Sequence, residues 1–343
     1  MQLKIINPIE YPGWDELLLA SDDRSFFHTS SWARVLVESY NYKPFYIMQI
    51  SDGRLSVLLP VMEVNSIITG KRGVSLPFTD YCELIVSDTG RFKNVMEQVI
   101  ALGRSSGWKY LGFRGGGEFM NNATPSLTHY THYLHINNDE KKIFGNFKGN
   151  TRRNIRKAIK EGVKVRLDNS FESIGEFFRL NCITRKRHGL PPQPFRFFKK
   201  IYEHIISKKK GFVSLAYHKN KIIAGAVFFY FNKEAFYKYG ASDMSYSYLR
   251  PNNLIIWEAI RWCLNNGFIN LSLGITEIVN EGLLKFKRGW GPREGILNYY
   301  KYDLRNGAFV RDKFRTRTSY VFFRNMPSPL LKLTGGLIYR HFG

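Results

Sequence analysis

Cysteine is scarce. The 343-residue chain holds three, Cys82, Cys182 and Cys263, far apart and with no CxxC spacing. That excludes a disulfide framework and a cysteine-based zinc site. The eight histidines form no HxH or HxxxH pair. His129, His132 and His135 recur every third residue in a Tyr- and Thr-rich stretch that reads as a strand. Alternation then puts His132 on the face opposite the other two, which argues against a shared metal. No GxSxG, P-loop or HExxH is present. The start, MQLKIINPIEYPGW, lacks the apolar core of a signal peptide. The longest apolar run, Ile222–Phe231 with Gly225 counted, is too short to span a bilayer. A soluble, cytoplasmic protein is expected.

Acid is also in short supply, with 28 Asp and Glu against 51 Lys and Arg, a net charge of +23. Such an excess points to an anionic partner: a nucleic acid, an acidic membrane surface or a phosphorylated substrate. The chain is about twice the length of a usual domain. Its 44% apolar and 15% aromatic residues suffice for a sizeable core.

The two halves read alike. The first predicts a hairpin, Pro44–Ile50 and Leu55–Val64, around Asp52–Gly53, then a strand near Cys82–Val86. A helix Phe92–Arg104 and a strand Trp108–Phe113 follow. The second predicts strands Phe212–Tyr217, Ile222–Tyr230 and Ala235–Ala241, a helix Leu254–Leu264 and a strand Phe268–Leu273. SSGWKYLGF and NNGFINLSL hold corresponding places, as in a duplicated α/β unit or two ordinary α/β domains. Ile255, Ala259 and Cys263, with Ile256, Ile260 and Leu264, give the second helix one wide apolar face between Pro251 and Gly267.

Charge is densest between the halves. Lys141–Arg166 holds ten basic residues and one acid, Glu161. Asn150 is a fair N-cap, and Thr151, Ile155, Ala158 and Ile159 form an apolar stripe. Arg152, Arg153, Arg156, Lys157 and Lys160 take the other face. Two arginines in a first turn oppose the helix dipole, and a docked anion would relieve that conflict; a solvated basic face is the plainer reading.

Further stretches carry candidate chemistry. A helix Phe171–Arg187, stopped at Gly189, ends in Thr184, Arg185, Lys186, Arg187 and His188 before a Pro-rich turn, a place to hold a phosphate or simply cations suited to a helix C-terminus. Leu249–Asn253 leads from a strand into the helix at Leu254, so its free N–H groups suit a pyrophosphate, though an ordinary loop has the same pattern. NEGLLKFKRGWG, residues 280–291, puts Lys287 ahead of a Gly-Trp-Gly turn. Lys287 shares a helix side with Leu283 and Leu284 and is expected to be partly buried, where it could stabilise an oxyanion. The alternative is a surface helix with Trp290 in the core. Asp80, among aromatics in PFTDY, is a candidate carboxylate or an ordinary turn residue.

Together these segments resemble the FemAB-like branch of the GNAT acyltransferase superfamily, including BioF2-like acetyltransferase domains. FHTSSWARV at Phe27–Val35, NTRRNIRKAIKEGVKV at Asn150–Val165, TRKRHGLPPQP at Thr184–Pro194, YKYGAS…LRPNN at Tyr237–Asn253 and NEGLLKFKRGWG carry the likeness, in that order. The resemblance implies an α/β (α+β) fold of two tandem GNAT-like domains, 1–145 and 146–343, each a mixed sheet flanked by helices. It implies transfer of an acyl or aminoacyl group to an amine of a cell-envelope sugar or peptide precursor. The donor would be acyl-CoA or aminoacyl-tRNA as co-substrate, with no tightly bound cofactor. Lys287 matches the Lys of the F-K-x-x-(F/W)-G motif and Arg187 the Arg of T-x-x-R. Where members that bind nucleotide-linked muramyl peptide carry a Lys soon after W-x-x-V, this chain has Leu36.

The expected catalytic set is Lys287, with Asp80 or His188 as base. The expected binding set is Thr184, Arg185, Arg187, Tyr239, Arg250, Asn252, Asn253, Trp290, Arg152 and Arg153, with Arg187, Arg250 and Lys287 converging on one concave surface. No metal and no DNA are expected; association with the inner membrane face is compatible with the charge. The rival reading is a non-catalytic protein that binds nucleic acid or an anionic membrane surface through the Lys141–Arg166 face.

Overall fold

In the computed structural model, residues 3–21, 24–120, 123–136, 139–311 and 318–343 are described, the side chains of residues 318–320 excepted. The chain divides into two compact units: Met1–His129 with Ile296–Arg315 and Leu337–Gly343, and Tyr130–Gly295 with Thr316–Gly336. From sequence the domains were expected as 1–145 and 146–343; in the structure residues 130–145 belong to the second unit, and 296–315 return to the first.

The first unit runs β1 (Lys4–Ile6), α1 (Trp14–Leu19), α2 (Ser30–Tyr40), β2 (Lys43–Ser51), β3 (Arg54–Val64), β4 (Arg72–Val74), β5 (Ile85–Val86), α3 (Phe92–Ser105) and β6 (Tyr110–Arg114). The β2–β3 hairpin turns on Asp52 and Gly53, both left-handed (φ 52° and 74°), as a two-residue turn requires. Of the strand expected at Cys82–Val86, only Ile85–Val86 is regular, paired with β3. One face of α3 buries Val95, Met96 and Val99 against Val57, Leu59, Leu111 and Phe113.

β7 (Leu127–His135) leads into the second unit, which holds α4 (Glu140–Asn146), α5 (Gly149–Lys160), β8 (Lys164–Asp168), α6 (Phe171–Arg187), α7 (Phe195–Ile201), β9 (Gly211–His218), β10 (Lys221–Phe231), β11 (Glu234–Ser242), α8 (Pro251–Asn265), β12 (Asn270–Glu277) and α9 (Glu281–Arg288). Its strands lie in the order β7-β12-β11-β10-β9-β8. β13 (Arg293–Asp303) carries the chain back and pairs antiparallel with β6, and β14 (Ala308–Phe309) follows it. α10 (Thr318–Asn325) and α11 (Ser328–Ile338) end the chain's regular structure apart from a final turn.

Each unit is thus a mixed sheet flanked by helices. In each, a helical crossover joins two parallel strands: β4 to β6 through α3, and β11 to β12 through α8. α8 starts with Pro251 at its first position and buries Leu254, Ile255, Ile256, Trp257, Ala259, Ile260 and Cys263 in the second core. α5 differs from expectation at both ends. It begins two residues early: Lys148 holds the N-cap position without a side-chain cap bond, its N–H donates to the Gly289 carbonyl, and Asn150 lies inside the first turn. Ile159, at the edge of the stripe in the last turn, is exposed rather than buried.

Candidate functional site

α9 is short, and its ends are fixed locally. The Asn280 side chain accepts from the Leu283 N–H, and Glu281 complements the dipole in the first turn. Its far end is tied to α5. The Gly289 carbonyl accepts from Lys148 N at 2.9 Å, and a Cβ on Gly289 would come 2.3 Å from Thr151 Oγ1. Gly291 is left-handed, with φ 67°. Between these glycines, Trp290 is fully buried, edge-on to Phe147 and Phe286. A side chain with no accessible surface offers none to a ligand, so Trp290 is a core residue here, not a binding contact.

That anchoring aims Leu284 and Lys287 inward. Lys287 is 4% exposed, and its Nζ donates to the Ile275 carbonyl at 2.9 Å. The next residue of β12, Thr276, places Oγ1 3.1 Å from His132 Nε2. His132 Nδ1 lies 3.3 Å from a Glu294 carboxylate oxygen. Glu294 is gripped by Arg288 through Nε at 2.8 Å and Nη2 at 3.0 Å, and Arg288 stacks over Tyr130. Burial first, and then the Lys287 charge, draw the His132 pKa down to about 4, so the imidazole is neutral at pH 7. His132, Thr276 and Glu294 were not singled out from sequence. The three-residue histidine spacing was used only to dismiss a metal, yet the same alternation turns His132 toward this cluster.

The cluster sits where two strands separate. β11 and β12 are parallel but pair over only three residues, Glu234↔Asn270 to Phe236↔Ser272. β11 then continues to Ser242 and β12 to Glu277, so the strands diverge toward their C-terminal ends. Lys287 and His132 hold the β12 side at Ile275 and Thr276. On the β11 side, Thr184 Oγ1 donates to the Ser242 carbonyl at 3.2 Å and accepts from Ser242 N at 2.9 Å. Asn252 Nδ2 donates to Ser242 Oγ at 3.3 Å. Two segments singled out by sequence, the end of α6 and the start of α8, therefore meet at Ser242, which sequence reasoning missed. Arg250 caps α8 in a left-handed conformation (φ 59°) without a side-chain cap bond, and is exposed; Asn253 is buried. Tyr239, half-buried on β11, packs edge-on to Phe197 and Phe198.

The other expected residues make contacts of their own. Arg185 donates from Nε to the Pro191 carbonyl at 3.3 Å, bracing the Pro-rich turn. Arg187 Nη2 is 2.9 Å from His188 Nε2, and burial with the charges of Arg187 and Arg185 lowers the His188 pKa. Arg187 also lines a groove of about 440 Å³ with Arg179, Cys182, Lys186, Arg324 and Lys332. Arg187 lies at the C-terminal end of α6, Arg250 at the start of α8 and Lys287 near the end of α9. Arg152 and Arg153 lie in the first turn of α5, beside the Lys148–Gly289 tie. Asp80 belongs to the first unit. Its carbonyl accepts from the Tyr299 hydroxyl, and its charge acts on His129 and Tyr299 next to Arg114. Leu76 and Phe78, just ahead of it, are left-handed (φ 49° and 61°), a costly backbone for non-glycine residues.

Residues 145–288 match the family described as acetyltransferase (GNAT) domain. A UDP-N-acetylmuramoylpentapeptide-lysine N(6)-alanyltransferase of Weissella viridescens is 23% identical over 163 residues, 46% of this chain and 48% of the relative. The chain therefore spans about half the length of the curated relative it matches. Among solved structures, FemX superposes with a TM-score of 0.68 at 13% identity, covering 87% of this chain and 97% of that one. A tandem GNAT protein from the clavulanic acid biosynthesis pathway gives 0.55 at 9%, covering 88% and 98%. L-PGS from Bacillus licheniformis gives 0.51 at 12%, covering 92% and 96%. The chain therefore has the fold of these tandem GNAT structures.

Proposed function

We propose that this chain forms amides: an N-acyl- or aminoacyltransferase acting on an amine of a cell-envelope sugar or peptide precursor. The observation that carries the reading is the parting of β11 and β12, with a buried lysine fixed on one side and the Thr184–Ser242–Asn252 junction on the other. Parted parallel strands leave main-chain donors and acceptors along facing edges, able to pair with an extended acyl donor. The start of the 15-residue helix α8, beside Arg250, suits that donor's phosphates. The activity of the Weissella viridescens relative, alanine transfer to the lysine of a muramoyl pentapeptide, supports the same reaction class.

In the reaction a neutral amine attacks the acyl carbonyl. The C–N bond forms, a thioester C–S or ester C–O bond breaks, and the amine loses a proton. Lys287 stabilises the negative charge on the carbonyl oxygen, acting from a buried position where a cation interacts more strongly than in water. His132 stays neutral beside it and so does not compete for that charge. His188 or the substrate itself is the candidate proton acceptor. The +23 net charge fits either anionic donor, an acyl-CoA or a charged tRNA.

A mass-spectrometric screen of acyl-CoAs and charged tRNAs against amino-sugar and peptide acceptors tests the reading. An amide product that disappears in Lys287→Met is the expected result. Tight RNA binding with steep salt dependence, and no product from any donor, would favour a non-catalytic binder instead.

A further inference from the structure

The last two helices carry their apolar residues on the wrong side for a water-facing surface. On α11, Leu331 and Gly335 face the protein. Leu331 is buried, and Gly335 packs so closely on the Pro192 carbonyl that a Cβ would fall 2.0 Å from it. Leu330, Leu333 and Leu337 are spaced by three and four, so they share the opposite stripe, and they are 50%, 61% and 63% exposed. On α10, Val321 and Phe322 are each 65% exposed. Scattered exposed leucines need no explanation, but an ordered outward stripe on one helix, with an exposed Val-Phe pair on the helix before it, does.

The charge around the stripe indicates what covers it. Residues 318–343 contain Arg324, Lys332 and Arg340 and no Asp or Glu. Arg324 and Lys332 also line the groove beside α6, together with Arg179, Lys186 and Arg187. Of these, Arg179 is paired with Glu176. Among the described residues, no carboxylate lines the groove. A second copy of a chain carrying +23 would be repelled at such a surface, and a nucleic acid has no use for the leucines. An anionic lipid surface satisfies both features: the outward stripe enters the acyl boundary while the cations meet the headgroup phosphates.

We infer that α10 and α11 form a docking surface by which the protein rests on an anionic bilayer, and that this surface is distinct from the basic face of α5. None of the described helices is long and apolar enough to cross a membrane, so the contact is interfacial. The inference does not depend on the transferase reading, because its test measures binding alone.

The test is co-sedimentation of the full chain with vesicles of phosphatidylcholine alone and with 30% phosphatidylglycerol. The expected result is binding at least tenfold tighter to the anionic vesicles, weakened in high salt. The triple variant Leu330→Gln, Leu333→Gln, Leu337→Gln should bind roughly 10²-fold more weakly, the combined effect of three leucines that no longer leave water. Its thermal melt should match wild type, since all three side chains are exposed. Arg156→Gln, Lys157→Gln, Lys160→Gln, on α5, should lose less than threefold. The inference is overturned by any of three results: wild type does not bind the anionic vesicles; the leucine triple binds as well as wild type; or the α5 triple loses binding instead. It is equally overturned if sedimentation equilibrium shows a wild-type dimer that the leucine triple abolishes, since the stripe would then be a self-interface.

Discussion

Replacing Lys287 by Met tests the site at its centre. The side chain is 4% exposed and keeps nearly its volume as Met, so the core is not opened. Two things change. The Ile275 carbonyl loses the donor at 2.9 Å, which costs about 1–3 kcal/mol, while a desolvated ammonium is removed, which offsets part of that. The net stability change is therefore expected to stay within about 2 kcal/mol, read by denaturant titration. The charge beside His132 also disappears. Burial and the Lys287 cation together hold that imidazole at about 4; with the cation gone its pKa rises, yet burial, the larger cause, keeps it below the ordinary 6.5. Proton NMR of the His132 ring across pH 3–8 measures this without any substrate. Once an acceptor is found, turnover should fall roughly 10²–10³-fold, the scale of one lost oxyanion donor. Lys285→Met, on the exposed side of α9, should move neither quantity. An unmoved His132 titration, or equal rate losses in the two variants, would refute the placement of Lys287 in the site.

Other consequences follow from the same contacts. Gly289→Ala should destabilise by about 1–3 kcal/mol, because its Cβ meets Thr151 Oγ1; adding Thr151→Ala should recover at least half of the loss in a double-mutant cycle by chemical denaturation. Thr184→Val removes a donor and an acceptor at Ser242 and should cost about 1–3 kcal/mol, with Thr184→Ser restoring most of it. His28 is fully buried, its Nδ1 accepting from Ser25 N and its Nε2 3.0 Å from the Glu83 carbonyl, and burial lowers its pKa to about 4. A histidine depressed in the folded state contributes fully above pH 6.5 and loses that contribution as pH falls toward 4. About 3 kcal/mol of stability should therefore disappear over that range, and denaturation midpoints that stay flat from pH 7 to 4.5 would contradict it.

What was readable from the residues was what short-range rules decide. The Asp52–Gly53 hairpin and the wide apolar face of α8 each depend on a few neighbours, and each is where it was expected. Lys287 could be placed inward from its spacing to Leu283 and Leu284 and from the turn just after it. The strand near Cys82 was overread, because Cys82 is held by one bond from its N–H to the Arg114 carbonyl and not by a ladder. Ser242 and Thr276 were invisible for another reason. A lone hydroxyl gains meaning only when partners from distant segments, Thr184 with Asn252 and His132, are brought to it.

NEGLLKFKRGWG shows most clearly how one motif divides its work. From sequence its lysine and its tryptophan both look like ligand contacts. In the structure the tryptophan is wholly enclosed by Phe147 and Phe286, and the glycines on either side exist because a side chain there would strike Thr151 or crowd the Asn146 carbonyl. The turn is therefore a clamp that fixes α9 against the start of α5. Its rigidity sets where Lys287 stands relative to β12, because the lysine lies only two residues before the clamp. Burying Trp290 supplies the hydrophobic energy that holds a charged side chain in a place it would otherwise avoid. Softening the clamp should accordingly displace the lysine from Ile275 without touching it, and that coupling is why motif residues with no access to substrate can still govern the chemistry.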